Sequence, residues 1–118
     1  MSKALVTGEI LLPAGASLKP SALARVQLLD TSLADAASVE VANQLVSGLA
    51  ARLAKGETVE FSLVATHTDA QASYSVCVHI DQDGDGQIKP GDFVSTQNYP
   101  VITFGYPKRV CVQTVLVN

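Results

Sequence analysis

The sequence predicts an all-β fold: a single antiparallel β-sandwich of seven or eight strands, with one short helix near residues 48–55. Three observations support this prediction, and the first is that the 118-residue chain has the length of one domain. The second is that apolar and polar residues alternate in many short segments. The third is that turn-forming residues separate those segments at regular intervals. We therefore expect one domain over residues 1–118.

The predicted strands follow from the alternation and from the turn residues between the segments. In chain order they are residues 4–12, 23–30, 39–46, 58–64, 74–80, 93–96, 101–104 and 109–117. Five of them give one apolar face that can pack in a core. The residues of these faces are Val6, Ile10 and Leu12; Ala24, Val26 and Leu28; Val59, Phe61 and Leu63; Tyr74, Val76, Val78 and Ile80; and Val110, Val112, Thr114 and Leu116.

Residues 38–56 fit either a strand or a helix. Residues with helical spacing stand between a capping serine and a terminating glycine: Ser38, Val41, Leu45, Leu49, Leu53 and Gly56. The many alanines and leucines favour a helix by propensity, whereas the β-rich surroundings favour a strand. We expect a strand over residues 39–46 and a helical turn over residues 48–55.

The net charge of −3 is concentrated in one short segment. Residues 81–92 hold four acids and one base, and removing them from the chain's 11 acids and 8 bases leaves seven of each. A neutral body without a cluster of lysine and arginine lacks the electrostatic footprint of a nucleic-acid-binding protein. The apolar runs are far shorter than the ~20 residues that span a bilayer. We therefore expect neither nucleic-acid binding nor a transmembrane segment.

The acidic segment has the spacing of an EF-hand calcium loop. Its carboxylates stand at positions 1, 3, 5 and 12 of the twelve, and Gly86 stands at position 6, where the loop turns sharply. The predicted calcium ligands are Asp81, Asp83, Asp85, the backbone carbonyl of Gln87, and Asp92. Oxygen ligands at this spacing can supply the six to eight contacts that a hard cation prefers.

Two features separate this loop from a standard EF-hand. Asp92 replaces the usual bidentate glutamate and Lys89 stands within the loop, so we expect weak affinity, with a Kd of about 10⁻⁴ to 10⁻³ M. The flanking segments are strand-like, and Pro90 cannot continue a helix. The alternative is a plain hairpin loop, because aspartate, glycine and proline all suit turns for backbone reasons alone.

The sequence carries no recognisable catalytic motif. It has no Gly-x-Ser-x-Gly, no phosphate-binding glycine loop and no His-Glu-x-x-His. We expect His67 and His79 to be surface histidines, although His79 lies close enough in sequence to be a neighbour of the acidic loop. Cys77 and Cys111 are either free thiols or a disulfide between paired strands, and the latter requires an oxidising compartment.

Four of the six aromatic residues fall within fourteen positions: Phe93, Tyr99, Phe104 and Tyr106. Such a group usually packs at the end of a sandwich. It is also the best candidate in this sequence for an exposed binding patch.

Three stretches resemble a known family. Residues 26–36 (VQLLDTSLADA) are similar to the VxLxDxSLADA pattern of the YbaY/YscW-type lipoprotein domain, and the strand predicted at residues 39–46 follows as it does in that family. Residues 95–105 resemble the family's T-x-x-x-x-PV-[IL]-x-x-G segment, and residues 110–117 resemble its last strand. The resemblance implies a small periplasmic β-sandwich, often anchored by a lipid, in a family that includes pilotin chaperones of a type III secretion secretin. The acidic loop departs from the family's short hairpin, so the calcium prediction comes from spacing alone.

We expect a non-enzymatic periplasmic binding or chaperone module that resembles the pilotins and carries one Ca²⁺. Its partner would be a secretin or another envelope protein, held by strand addition or in an apolar groove. One alternative is a calcium-stabilised envelope accessory or adhesion domain, and another is a small hydrolase that uses the acidic cluster with His79. The expected location is the periplasm or the outer membrane if a signal segment was removed, with a lipid anchor as an option in the precursor, and the cytoplasm if the chain is complete.

Overall fold

The computed structural model describes residues 2–32 and 38–118, so residues 33–36 of the family-like pattern lie outside the described residues. The described elements are β1 (Ser2–Leu11), β2 (Leu23–Asp30), β3 (Val39–Val46), α1 (Leu49–Ala54), β4 (Val59–Thr68), β5 (Tyr74–Asp81), β6 (Phe93–Ser95), β7 (Pro100–Val101) and β8 (Arg109–Leu116). The all-β class, the strand count and the short helix are therefore confirmed. The strand at residues 39–46 followed by a helical turn is confirmed as well. No helix in the described residues is long and apolar enough to cross a membrane.

The strands form one sheet in the order β3-β2-β5-β6-β8-β1-β4, and the short β7 pairs with β5. Adjacent strands are antiparallel except β1 and β8, which are parallel. The sheet curls until its two edge strands, β3 and β4, come into contact. There the side chain of Gln44 accepts a hydrogen bond from the backbone N–H of Ser62 at 2.6 Å. The sheet is thus nearly closed into a barrel, with a side chain in place of the last backbone ladder.

The core fills the space inside the curled sheet. Alternate residues of β2, β4 and β5 point inward, as their period of two predicts. The largest fully buried apolar side chains are Leu28, Leu49, Leu63, Ile80, Val6, Val26, Val76, Val78, Val101 and Val112. Gly8 allows β1 and β8 to approach, because a Cβ at this position would lie 2.0 Å from the carbonyl oxygen of Val110. A glycine is therefore required where β1 meets β8.

Residues 102–104 do not continue the strand that the sequence predicts at residues 101–104. The strand β7 ends at Val101, and the chain then forms a compact turn over residues 102–107, here called the aromatic turn. Ile102 has φ 72° and Phe104 has φ 56°, both in the left-handed region that residues other than glycine rarely adopt. Such conformations cost about 1–3 kcal/mol each and persist only where surrounding contacts hold them.

A buried contact holds the aromatic turn in this conformation. The hydroxyl of Thr103 donates to the carbonyl oxygen of Ala72 at 2.6 Å. Within the turn, the N–H of Ile102 donates to the carbonyl of Pro107, and the N–H of Tyr106 donates to that of Thr103. The prediction of a strand was wrong because this contact joins residues 31 positions apart in sequence and overrides the β propensity of the segment.

Candidate functional site

The acidic loop, residues 81–92, joins β5 to β6 and is folded around the buried carboxylate of Asp81. Its Oδ1 accepts the N–H groups of Asp83 at 3.2 Å and Gly84 at 2.9 Å, and its Oδ2 accepts that of Gly86 at 2.6 Å. Gly86 has φ 80°, which confirms the sharp turn predicted at this position. The first carboxylate of the motif therefore satisfies the backbone donors of the loop that follows it.

Asp92 closes the other end of the loop. Its Oδ1 accepts the N–H of Gln82 at 3.0 Å, and its Oδ2 accepts the N–H of Lys89 at 3.1 Å and contacts Nε2 of His79 at 2.9 Å. Burial alone would raise the pKa of Asp92, but the N–H of Gln82, the His79 ring and the N–H of Lys89 lower it below its ordinary value. Asp92 is therefore ionised at neutral pH.

The two middle carboxylates are held by lysines. Asp83 lies 2.9 Å from Nζ of Lys19. Asp85 forms an ion pair with Lys89, and this hydrogen bond, followed by one from the N–H of Gln87, lowers the pKa of Asp85. The same contacts raise the pKa of both lysines. Because these carboxylates are exposed, the two ion pairs contribute little to stability.

Only some of the predicted calcium ligands come together in the structure. Ligand atoms of Asp81, Asp92 and His79 lie within 4.8 Å of one another. Asp83 and Asp85 instead contact their lysines, and the N–H of Gln87 donates to Asp85 at 3.0 Å. The structure therefore places two of the five predicted ligands in one cluster, and calcium binding stays a prediction.

The histidine and arginine beside this cluster were not predicted as site residues. His79 was expected on the surface, but its side chain is only 13% exposed and is paired with Asp92, so that expectation was wrong. Arg25 lies opposite His79 in the β2–β5 register, and its Nε stands 3.7 Å from Oδ2 of Asp81. The alternation of β5 placed His79 near the loop, whereas the pairing of β2 with β5 is not visible in the sequence.

Gln82 fastens the loop to the segment before β2, and no sequence motif indicates this role. Its side-chain oxygen accepts the N–H of Lys19 at 2.8 Å. Its side-chain nitrogen donates to the carbonyls of Ser17 at 2.9 Å and Gly91 at 3.1 Å. One buried amide therefore holds three backbone groups in place.

The cysteines are free thiols in the structure. Cys77 is half-buried on β5 and Cys111 is exposed on β8, and β6 lies between these two strands. The sequence left free thiols and a disulfide as alternatives, and the structure has the free thiols.

The four clustered aromatic residues divide into two groups. Phe93 is buried in the core, and the hydroxyl of the half-buried Tyr99 accepts the N–H of Gln113 at 3.0 Å. Phe104 is 62% exposed and Tyr106 is 49% exposed. Packing therefore accounts for the first two residues, while the aromatic turn presents the other two to solvent.

The chain is similar to known proteins both in sequence and in structure. The family described as "Type III secretion system lipoprotein chaperone (YscW)" matches residues 1–114. No curated protein matches the chain. Among solved structures, the chain is similar to an alternative pilotin from the type II secretion system of Vibrio cholerae, with 27% identity, coverage of 99% of both chains and a TM-score of 0.78. The chain belongs to the YscW family of type III secretion system lipoprotein chaperones.

Proposed function

We propose that this protein is a non-enzymatic chaperone of the bacterial envelope that binds a segment of a secretin, as a pilotin does. The observation that carries this proposal is the end-to-end structural match to the Vibrio cholerae pilotin, at 27% identity over 99% of each chain. The family match over residues 1–114 supports the same role. A chaperone acts by binding, so its function depends on a surface rather than on a reacting group.

The closed form of the sheet favours binding on a surface over addition of a strand. The edge strands β3 and β4 contact each other, and Gln44 already accepts the N–H of Ser62 at 2.6 Å. A partner strand entering there would have to displace this contact before it could pair with either edge. An apolar surface elsewhere requires no such rearrangement.

Binding of a secretin peptide tests the proposal. The probe is a fluorescein-labelled peptide of the C-terminal segment of the secretin encoded in the same genome, and the readout is fluorescence anisotropy with the full chain. Saturable binding is expected, and a scrambled peptide of the same composition is the control. Binding that is equal for the two peptides, or absent for both, would contradict the proposed function.

We also propose that the mature protein lies in the periplasm and is held at the outer membrane by a lipid on its precursor. The description of the family as lipoprotein chaperones supports this location. Fractionation of cells that express the full-length precursor, with radiolabelled palmitate, tests it. Label and protein should appear together in the outer-membrane fraction, and an unlabelled protein in the cytosolic fraction would contradict it.

We further propose that the acidic loop binds one Ca²⁺. The spacing of its oxygens supports the proposal, as do two buried carboxylates whose oxygens already lie close to each other. Full coordination requires Asp83 to leave Lys19 and Asp85 to leave Lys89. Each displaced ion pair reduces the net binding free energy, so the affinity should be weak.

A further inference from the structure

The aromatic turn exposes two large side chains in a backbone that is already ordered. Phe104 and Tyr106 are the exposed aromatics, and Phe104 itself has a left-handed backbone. The buried bond from Thr103 to Ala72 fixes the turn. A binding residue held in this way loses little conformational freedom when a partner arrives, which favours affinity. Strained backbone of this kind is often found at binding sites.

Phe104 lines two grooves. The larger has a volume of about 370 Å³, and its lining combines apolar residues, among them Ala4, Ala70 and Ile102, with about as many polar ones. The smaller has a volume of about 220 Å³, and its lining is more polar, with Thr31, Ser73, Asn98 and Tyr106. Phe104 therefore contributes to a larger groove of mixed polarity and to a smaller, mostly polar one, and two grooves that share a side chain can hold successive side chains of one bound segment.

Lys3 and Lys108 line the larger groove. Neither forms an ion pair with any residue in the ranges 2–32 and 38–118, whereas Lys19, Lys89 and Arg109 all do. A partly apolar groove, bordered by two lysines that form no ion pair within the described part of the chain, is complementary to an apolar side chain next to a carboxylate. The charge of the groove thus indicates an acidic residue, or a chain terminus, in its ligand.

We propose that the aromatic turn and its two grooves hold the partner segment of the proposed chaperone function. An apolar side chain of the partner packs against Phe104 in the larger groove, and a neighbouring carboxylate lies between Lys3 and Lys108. The following residue enters the polar groove beside Tyr106. This inference rests on the proposed function and adds to it the surface and the chemistry of the bound segment.

The shape of the surface favours a protein segment over a lipid surface or a second copy of this chain. Residues that enter a bilayer lie on a convex apolar surface, whereas here a groove lined by Thr31, Ser73 and Asn98 adjoins the exposed aromatics. In a two-fold symmetric dimer through this surface, Lys3 and Lys108 of both copies would lie in the same interface. Their like charges would then repel each other.

The test compares groove variants with matched variants elsewhere, using the labelled secretin peptide described above. Phe104→Ser removes the exposed ring, and its control is Val115→Ser, which removes an exposed apolar side chain of β8. The double variant Lys3→Glu/Lys108→Glu reverses the charge of the groove, and its control is Lys55→Glu at the end of α1. The groove variants should weaken binding about tenfold or more, and the controls about twofold or less. Thermal melts of all variants report whether each one folds.

A second peptide tests the charge complementarity directly. Lysine replaces each acidic residue of the secretin peptide, and its affinity for the wild-type chain should fall. The Lys3→Glu/Lys108→Glu variant should recover affinity for this reversed peptide. Recovery cannot come from misfolding, so this result separates charge recognition from a loss of structure.

Four results would overturn the inference. If the wild-type chain binds the peptide and every groove variant binds it with the same affinity, the proposed function stands, but this surface is not its binding site. If the groove variants keep their peptide affinity but lose a binding to vesicles of phosphatidylethanolamine and phosphatidylglycerol that the wild-type chain shows, the surface binds a membrane instead. If the wild-type chain is a dimer in sedimentation velocity and the groove variants are monomers with unchanged peptide affinity, the surface serves self-association instead. Failure of the wild-type chain to bind any peptide would contradict the proposed function itself, and the inference would fall with it.

Discussion

The acidic loop and the aromatic turn use their side chains in opposite ways. In the acidic loop each carboxylate contacts a cationic or histidine side chain, in the pairs Asp81–Arg25, Asp83–Lys19, Asp85–Lys89 and Asp92–His79. In the aromatic turn the backbone is hydrogen-bonded, while Phe104 and Tyr106 are exposed. The carboxylates of the loop therefore stabilise the loop itself, whereas the two aromatic side chains of the turn are exposed to solvent.

This contrast teaches that a conspicuous motif can owe its side-chain contacts to the stability of its own loop. The acidic loop carries the whole net charge, yet two of its carboxylates are buried. The aromatic turn holds two of the chain's six aromatic residues, and the sequence of its first half favours a strand. Substitutions in the loop should therefore affect stability, and substitutions in the turn should affect binding.

Removal of the Asp81 side chain should have the largest effect. In Asp81→Ala the N–H groups of Asp83, Gly84 and Gly86 lose their acceptor, and Arg25 loses its carboxylate. Loss of one partner from a buried pair costs about 3–5 kcal/mol, and we expect a value near the lower end because Arg25 is partly exposed. Urea unfolding in the presence of EDTA measures the free energy of unfolding without any contribution from metal.

Asp83→Ala is the matched control for this variant. Asp83 stands two residues away in the same motif, but its pair with Lys19 is exposed, so its loss should cost much less than the loss of Asp81. Equal costs for Asp81→Ala and Asp83→Ala would show that burial does not distinguish the two carboxylates, and the account of the loop given above would be wrong.

Calcium should stabilise the folded chain by a smaller amount. For a Kd of about 10⁻³ M, 10 mM Ca²⁺ stabilises the native state by about 1.4 kcal/mol. The thermal midpoint should therefore rise on titration, and Asp85→Asn should reduce the rise because position 5 supplies one of the oxygens. An unchanged midpoint at 10 mM Ca²⁺, or an equal rise with Mg²⁺ at the same ionic strength, would contradict the calcium proposal.

Acid should weaken the loop through Asp92. Its pKa is lowered in the folded state, so the stability that it contributes is present above the unfolded pKa near 3.8. That stability is lost as the pH falls through the lower folded pKa. Thermal melts in EDTA between pH 2.5 and pH 6 should show a fall in the midpoint below about pH 4. In Asp92→Asn the fall should be shallower, and an identical pH profile would mean that another group causes it.

The sequence predicted the strands well because alternation is a local property of the chain. The inward faces of β2, β4 and β5 were read directly from their apolar residues, and the helix from its own composition. The parallel pairing of β1 with β8 depends on residues about a hundred positions apart, such as Gly8 and Val110. No periodicity within either segment reports that contact.

The candidate sites were predicted in part, for the same reason. The spacing of the acidic residues identified the loop, because a loop motif is local. The cations that pair with it come from distant segments: Lys19 is 64 residues from Asp83, and Arg25 reaches the loop only through the β2–β5 register. Residues 102–104 of the aromatic turn were predicted as part of a strand because the bond between Thr103 and Ala72 is not visible in the sequence.

The smallest change in the free energy of unfolding should come from Phe104→Ser. A small change would support the difference drawn above between the acidic loop and the aromatic turn. The ring of Phe104 is 62% exposed, so its removal returns little apolar surface to water. Exposed substitutions away from buried features usually change the free energy of unfolding by about 0.5 kcal/mol or less. Urea unfolding should therefore give nearly the same midpoint for Phe104→Ser and the wild-type chain. A loss of more than about 1.5 kcal/mol in the free energy of unfolding would mean that the ring stabilises the strained turn and is not free to bind a partner. Phe104→Leu should keep the stability and part of the peptide affinity, because it retains an apolar side chain in the lining of both grooves.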